Sequence, residues 1–180
     1  MRVVDLAEQP EKILVDAASL LVEEFDASYG WPTLALAQEE VRRVISEGFA
    51  RAITEEDVLL GWIGGVPEYE GRVWELHPLV VRREHRRRGI GRSLVEAFED
   101  ETRIRGAYTV TLGTDDTSGM TSLSEVDLYA DIPGHIGGAR DLGKGHPFLF
   151  YQKLGYVVTG VMPDANGPGK PDIFMSKRVG

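Results

Sequence analysis

The chain has 180 residues, a formal net charge of −9 and no cysteine. Its length predicts one domain over residues 1–180, and the lack of cysteine excludes disulfides, thiolate nucleophiles and zinc fingers. The acidic charge argues against a nucleic-acid partner, because such a partner requires a basic surface. No apolar stretch is long enough to span a membrane and the N-terminal residues lack the apolar centre of a signal peptide. We therefore expect a cytoplasmic protein without a membrane partner.

The charges concentrate in two segments of opposite sign. Six arginines and one acid lie between Arg82 and Arg92, whereas six acids and one arginine lie between Asp115 and Asp141. The first segment suits an anionic ligand and the second suits a cationic one. This distribution indicates a protein that brings an anionic cofactor to a cationic substrate.

Hydrophobic periodicity predicts a mixed α+β chain. The predicted elements are a strand at 2–6, a helix from Pro10 to Phe25, a break over 26–33, a helix capped by Thr33 whose apolar stripe runs to Phe49, strands at 58–66 and 73–81, a helix at 90–105, a strand at 108–113, a loop over 114–145, a short helix at 147–154, and strands at 156–161 and 172–176. A loop as long as 114–145 inside a compact domain is usually functional or disordered.

The most informative segment joins the strand over 73–81 to the helix over 90–105. Gly89 and Gly91 let a ligand approach the backbone there, and free N–H groups at a helix start donate to phosphate oxygens. The spacing lacks the third glycine of the dinucleotide fingerprint and the Gly-Lys-Ser/Thr of the Walker loop. It predicts a phosphate-binding turn of another kind, the alternative being an arginine-rich turn that caps an ordinary helix.

Arg86, Gly89 and Gly91 match Arg/Gln-x-x-Gly-x-Gly/Ala, the pattern of the GCN5-related N-acetyltransferases, which this sequence resembles. The resemblance implies that the turn holds the pyrophosphate of the cosubstrate acetyl-CoA. The cofactor-binding residues are then Leu79, Val80, Val81, Arg86, Arg87, Arg88, Gly89, Ile90, Gly91, Arg92 and Ser93. The implied fold is a central, mostly antiparallel twisted sheet of six to seven strands, with strands 4 and 5 splayed apart and about four flanking helices.

A second motif lies nearer the C-terminus. Tyr151, Gly155 and Tyr156 match the family's Tyr-x-x-x-Gly-Phe/Tyr. The resemblance implies that the phenol of Tyr151 protonates the departing CoA thiolate, a transfer that the similar pKa values of phenols and thiols permit. The alternative is that Tyr151 only packs. Lys144 stands where many members carry an asparagine, so the cofactor contact of that asparagine is not carried over.

The strand over 73–81 carries two candidate bases. Glu75 and His77 share one face if its side chains alternate regularly, although Pro78 leaves the alternation open. A carboxylate or an imidazole accepts the proton that an ammonium must lose before it attacks an acyl carbon. We prefer Glu75, because a carboxylate also holds the incoming cation. A structural carboxylate and a core histidine are the alternatives. Because Pro78 donates no ladder hydrogen bond, we expect pairing to fail there.

The acidic segment and an aromatic cluster are the candidates for substrate binding. Asp115 and Asp116 are predicted to hold a cationic substrate by charge-assisted hydrogen bonds, the alternative being a solvated acidic loop. Trp31, with Tyr29 and Phe25, is predicted to form an aromatic wall of the acceptor cleft, and for Phe25 core packing is favoured.

The stretches 74–81, 113–116, 146–151 and 163–173 resemble a bacterial subgroup, the aminoglycoside 6′-N-acetyltransferases. This implies acetyl transfer to a cationic small-molecule amine by direct attack, without a metal or a covalent enzyme intermediate, and with a backbone N–H near Val81 polarising the carbonyl. A polyamine, an amino acid or a peptide amine is the alternative acceptor, and a non-catalytic acyl-CoA-binding module is the alternative class. The family's common dimers imply a homodimer.

Overall fold

The computed structural model describes residues 1–25 and 30–180. Its helices and strands are β1 (Arg2–Asp5), α1 (Glu11–Glu24), α2 (Leu34–Glu47), β2 (Phe49–Glu55), β3 (Val58–Glu68), β4 (Val73–Val81), α3 (Ile90–Ile104), β5 (Thr109–Asp115), α4 (Ile132–Gly137), α5 (Phe148–Gln152), β6 (Val157–Met162) and β7 (Asp172–Arg178). The seven-stranded sheet has the order β1-β2-β3-β4-β5-β7-β6. The pairs β1–β2, β2–β3, β3–β4 and β6–β7 are antiparallel. The predicted α+β class is confirmed.

The chain divides into two compact units. The first comprises residues 1–110 and 179–180, and the second comprises residues 111–178. One domain over residues 1–180 stays a prediction. Within the described ranges, no helix is both long and apolar enough to cross a bilayer.

Strand β2 corrects the sequence analysis, which assigned Phe49 to the second helix. The helix ends at Glu47 and the strand begins only two residues later. A Cβ at Gly48 would lie 1.9 Å from the carbonyl oxygen of Gly65 in β3, so the turn from helix into sheet requires a glycine. The side chains of β2 are buried on both faces rather than on alternate ones, and the strand therefore shows no period of two.

The main core of the first unit includes side chains of α1, α2 and the sheet. Leu20, Leu21, Val41 and Trp62 are almost fully buried in one apolar cluster. Burial of each such side chain stabilises the fold by about 1.5–3 kcal/mol. The indole N–H of Trp62 donates to the carbonyl oxygen of Ala17 at 3.0 Å, so its polar atom remains satisfied inside this core.

Strand β4 keeps a strict alternation along its whole length. Its buried residues are Trp74, Leu76, Pro78 and Val80, and its half-buried residues are Val73, Glu75, His77, Leu79 and Val81. The register with β3 shifts between Ile63 and Gly65, which pair with Leu79 and Leu76. The irregularity falls opposite His77 and Pro78, where the sequence predicted that pairing fails. Glu75 and His77 consequently share the less buried face.

The segment predicted as a loop over 114–145 contains ordered structure. Helix α4 lies within it, and Thr121 pairs with Asp141 in an isolated antiparallel bridge. Leu123 and Leu128 are buried. Helix α4 has only six residues and includes two glycines, so it is too short to show a helical period in the sequence.

Candidate active site

The predicted phosphate turn lies between the end of β4 and the start of α3. Gly89 precedes the helix with φ of 84°, in the left-handed region that favours glycine, and nothing lies within 4 Å of the position that a Cβ would take. The first N–H groups of a helix have no partner within it and carry partial positive charge. This open, left-handed helix start fits a phosphate group.

The arginines of the turn have different surroundings. Arg86 donates from Nε to the carbonyl oxygen of Val81 at 3.0 Å, and its Nη2 lies 2.5 Å from Glu24 Oε2. Arg87, Arg88 and Arg92 are exposed. These three side chains can meet an anion, whereas the side chain of Arg86, although exposed, is held by its contacts with Val81 and Glu24.

The other predicted cofactor residues contribute in two ways. The side chains of Val80 and Ile90 are buried, so any ligand contact they make involves their backbone. Leu79, Val81 and Gly91 are half-buried, and Ser93 is exposed on the first turn of α3. The side chain of Ser93 adds a hydroxyl beside the glycines.

An aromatic and acidic cluster surrounds His77 in the first unit. The Trp31 ring lies 5.7 Å from the imidazole of His77 and 5.2 Å from the ring of Phe25, measured between centroids. Glu40 Oε1 of α2 lies 3.3 Å from His77 Nε2. The structure thus brings the predicted acceptor residue Trp31 to the predicted base His77. Tyr29, the third predicted aromatic residue, lies outside the described residues.

Glu40 is a site residue that the sequence analysis missed. Arg43 donates to both of its oxygens, at 3.0 Å from Nε and 2.7 Å from Nη2. Burial raises the pKa of Glu40, but hydrogen bonds from His77 and Arg43 outweigh it and hold the pKa at about 2. Since an ionised carboxylate only accepts, His77 Nε2 carries the proton that it shares with Glu40.

Replacing Glu40 with glutamine is expected to lower the free energy of unfolding by about 1–3 kcal/mol at pH 7. The folded-state pKa of about 2 lies below the usual 4.5, so the ionised group stabilises the fold above pH 4.5. That stabilisation is lost as the pH falls from 4.5 towards 2. Urea unfolding at pH 7 and pH 3 measures both effects. The exposed neighbour in Glu39→Gln serves as the control, and a pH-independent difference would contradict the assignment.

Tyr151 of the second unit is buried on α5, with ring centroids 5.0 Å from Phe150 and 5.7 Å from Tyr156. Burial raises the pKa of the Tyr151 phenol well above 10. The side chain therefore remains protonated at neutral pH, which is the state that a proton donor requires.

Asp115 is an exposed carboxylate at the end of β5. Asn166, in the turn between β6 and β7, donates to its Oδ1 at 2.5 Å. The carbonyl oxygen of Asp115 lies 3.1 Å from His146 Nε2, while His146 Nδ1 accepts from the backbone N–H of Phe148. Burial lowers the pKa of His146 and keeps the ring neutral. Asn166 and His146 lie in stretches that carried the resemblance, but no local pattern marks them as partners of Asp115.

Asp116 is buried and is not accessible to a substrate in the way that the sequence analysis predicted. Its side chain is fully buried and accepts from the backbone N–H groups of Met120 and Thr121 and from the hydroxyl of Ser124, at 2.6–3.1 Å. Burial raises its pKa, but these hydrogen bonds lower it further and keep the group ionised. The prediction that Asp116 binds substrate is therefore corrected: the carboxylate is used to order the loop that follows β5.

The predicted site residues divide between the two units. Glu75, His77, Trp31 and the glycine turn belong to the first unit, whereas Asp115, Asp116 and Tyr151 belong to the second. Glu75 is half-buried on the same face of β4 as His77. Within the described part of the chain, no group of three or more histidine, aspartate and glutamate side chains is arranged to hold a metal ion.

The comparisons with known proteins identify the family. The model of the acetyltransferase (GNAT) family matches residues 14–124, which is more than half of the chain. The chain belongs to the GNAT family. As a GNAT protein it is an acetyl-CoA-dependent N-acetyltransferase. No curated protein matches it.

The GNAT chain is also similar to three solved structures. One is an aminoglycoside 6′-N-acetyltransferase complexed with coenzyme A, at 38% identity and a TM-score of 0.91 over 99% of this chain and 97% of that one. A second is the aminoglycoside 6′-N-acetyltransferase from Enterococcus faecium, at 38% identity and a TM-score of 0.89 with the same coverage. A third is an aminoglycoside 6′-acetyltransferase type Ii, at 34% identity and a TM-score of 0.76, again over 99% and 97%.

Proposed function

We propose that this GNAT protein transfers the acetyl group of acetyl-CoA to the 6′-amine of an aminoglycoside. The main support is the likeness to aminoglycoside 6′-N-acetyltransferases at 38% identity along nearly the whole chain. The exposed carboxylate of Asp115 adds a chemical reason, since an aminoglycoside carries several ammonium groups. A polyamine, an amino acid or a peptide amine is the second candidate acceptor.

The proposed roles follow from the state of each side chain. Acetyl-CoA, when bound, supplies the activated acetyl thioester. The helix start at Gly89 with Gly91, Arg87, Arg88, Arg92 and Ser93 holds the phosphates, while Leu79, Val80, Val81 and Ile90 line or support the site. A backbone N–H near Val81 polarises the thioester carbonyl.

Proton transfer is assigned to three side chains. Glu75 accepts the proton of the substrate ammonium, directly or through water, and His77 is the alternative base through its Nδ1. Tyr151 donates its phenolic proton to the leaving sulfur. Trp31 packs against the acceptor and Asp115 binds one of its other ammonium groups. A homodimer and a cytoplasmic location stay predictions.

A single change at the exposed carboxylate tests the acceptor class. Asp115→Asn is expected to raise KM for kanamycin about tenfold, because a hydrogen bond to a charged group contributes about 1.5–3 kcal/mol. The effect should shrink in added salt, since exposed charges are screened. KM for 2-phenylethylamine, which has one amine, should hardly change. Steady-state CoA release with both amines measures the ratio of the two kcat/KM values.

The matched control for Asp115→Asn is Glu125→Gln, which removes an exposed charge from the same acidic segment. Asp116 is left unchanged, because its carboxylate orders the loop. An unchanged kanamycin-to-monoamine ratio in Asp115→Asn would contradict the proposed ammonium contact. If the wild-type protein acetylates spermidine or free amino acids but not kanamycin, the aminoglycoside assignment is wrong while the family assignment stands.

A further inference from the structure

A buried acid lies directly beside the arginine-rich turn. Glu24 is the last residue of α1, and only 6% of its side chain is exposed. Its charge is opposite to that of the arginines but equal in sign to that of a phosphate. Taken alone, a carboxylate here weakens the attraction of the turn for an anion, so its presence calls for another physical reason.

The contacts of Glu24 supply that reason. Glu24 Oε1 accepts from the backbone N–H of Arg83 at 3.0 Å, and Glu24 Oε2 lies 2.5 Å from Arg86 Nη2 and 3.6 Å from Arg83 Nη2. Arg86 Nε donates in turn to the carbonyl oxygen of Val81. The guanidinium of Arg86 therefore links the end of β4 to the end of α1. The chain between Val81 and Arg86 is therefore held at both ends, at β4 through Val81 and at α1 through Glu24.

We propose that Glu24 is a positioning residue for the acetyl-CoA turn. By holding Arg83 and Arg86 it fixes the path of residues 82–89, so that the N–H groups at the start of α3 are presented to the pyrophosphate without reorganisation. Arg86 is the partner of Glu24 in this brace, by which we mean the Glu24–Arg86–Val81 contacts. Its role is to hold the turn rather than to bind phosphate through its charge. This inference rests on the proposed place of the cofactor at Gly89 and Gly91.

Two explanations of Glu24 predict opposite signs. If only its charge matters, its removal strengthens CoA binding, because a negative group near the phosphates disappears. If it braces the turn, its removal weakens CoA binding, because the ligand must then order the segment. The neighbouring Glu23 offers a matched comparison: its side chain is 57% exposed and lies 3.8 Å from Arg82. Both substitutions remove one negative charge from the same end of α1.

Isothermal titration of the full chain with CoA distinguishes these explanations. Glu24→Ala is expected to weaken CoA binding about tenfold, the size expected for the loss of hydrogen bonds to a charged group. Glu24→Gln, which keeps one acceptor, should lie between Glu24→Ala and wild type. Glu23→Ala should bind CoA as tightly as wild type or more tightly. In steady-state assays, Glu24→Ala should raise KM for acetyl-CoA and leave kcat at saturation within about twofold of wild type.

The role of Arg86 is tested in the same titration. Arg86→Lys keeps the positive charge but lacks the planar fork that reaches both Val81 and Glu24. It should weaken CoA binding as much as Glu24→Ala does, and the double variant should be no weaker than either single one. Additive losses would show that Arg86 binds phosphate independently of Glu24, which overturns the brace.

Stability and wild-type binding separate the remaining outcomes. Arg83 and Arg86 are exposed, so the loss of Glu24 strands no buried charge, and the melting temperature without CoA should stay within a few degrees of wild type. A large fall in melting temperature, or unchanged or tighter CoA binding by Glu24→Ala, would overturn the proposal. If wild type itself bound no CoA, the cofactor assignment would fail instead.

Discussion

The Tyr151→Phe variant is expected to lose about 10²-fold or more of kcat, while KM for acetyl-CoA changes little. The change removes one hydroxyl and keeps the buried ring that contacts Phe150 and Tyr156. Because burial raises the pKa of Tyr151, the wild-type phenol stays protonated across the neutral range. Titration of Tyr151 should therefore not lower the wild-type kcat between pH 6 and 8. Steady-state kinetics with acetyl-CoA and kanamycin measure both constants.

Tyr69→Phe is the control for this variant, because Tyr69 is an exposed tyrosine of the first unit. Its kcat should equal that of wild type. The melting temperature of Tyr151→Phe should show that the fold survives the loss of the hydroxyl. A kcat within twofold of wild type would mean that Tyr151 only packs, or that departure of the thiolate does not limit the rate.

The second large effect is expected at the glycine that opens α3. Gly89→Asp should weaken CoA binding about 10²-fold, because a carboxylate within a few ångströms of phosphate costs about 1–4 kcal/mol, depending on the local dielectric. Space is not the obstacle, since nothing lies within 4 Å of the added Cβ. The backbone φ of 84° adds a smaller conformational cost that any residue with a Cβ bears.

Gly89→Asn separates the charge from the backbone. Asparagine has nearly the same shape as aspartate, and both tolerate the left-handed region better than other residues do. Gly89→Asn should therefore weaken CoA binding only a few-fold. The ratio of the two variants' dissociation constants for CoA measures the effect of the charge alone. Titration with CoA gives both affinities. Equal losses of CoA affinity in the two variants would show that no phosphate group binds at this turn.

The elements that follow one clear period were predictable from the sequence. Strand β4 and helix α3 are both found at the predicted positions, because each element buries mainly one face. Strand β2 was missed because both of its faces are buried and because Gly48 lets the chain pass from helix to strand without a loop. A hydrophobic period of two residues in a strand, or of 3.6 residues in a helix, exists only where the element buries one face.

The residues of the candidate site also differ in how far the sequence could predict them. The glycine turn and Tyr151 could be predicted as candidates because each belongs to a short motif that resembles the family's own. Glu24 and Glu40 were not predicted, because each contacts a side chain that is distant in the sequence. Glu24 and Arg86, for example, are 62 residues apart. Asp116 was predicted to bind substrate because the acids of this segment suit a cation, and only the structure reveals that its oxygens already accept hydrogen bonds inside the protein.

The way in which Asp116 orders its loop determines which sequence changes the loop tolerates. Most of its hydrogen bonds come from backbone N–H groups, those of Met120 and Thr121, and a backbone donor is present whatever side chain the residue carries. These bonds to Asp116 therefore do not depend on which side chains stand at positions 120 and 121. Exposed side chains of the loop can therefore change while the carboxylate keeps the backbone at Met120 and Thr121 in place, whereas Leu123 and Leu128 stay fixed by their burial.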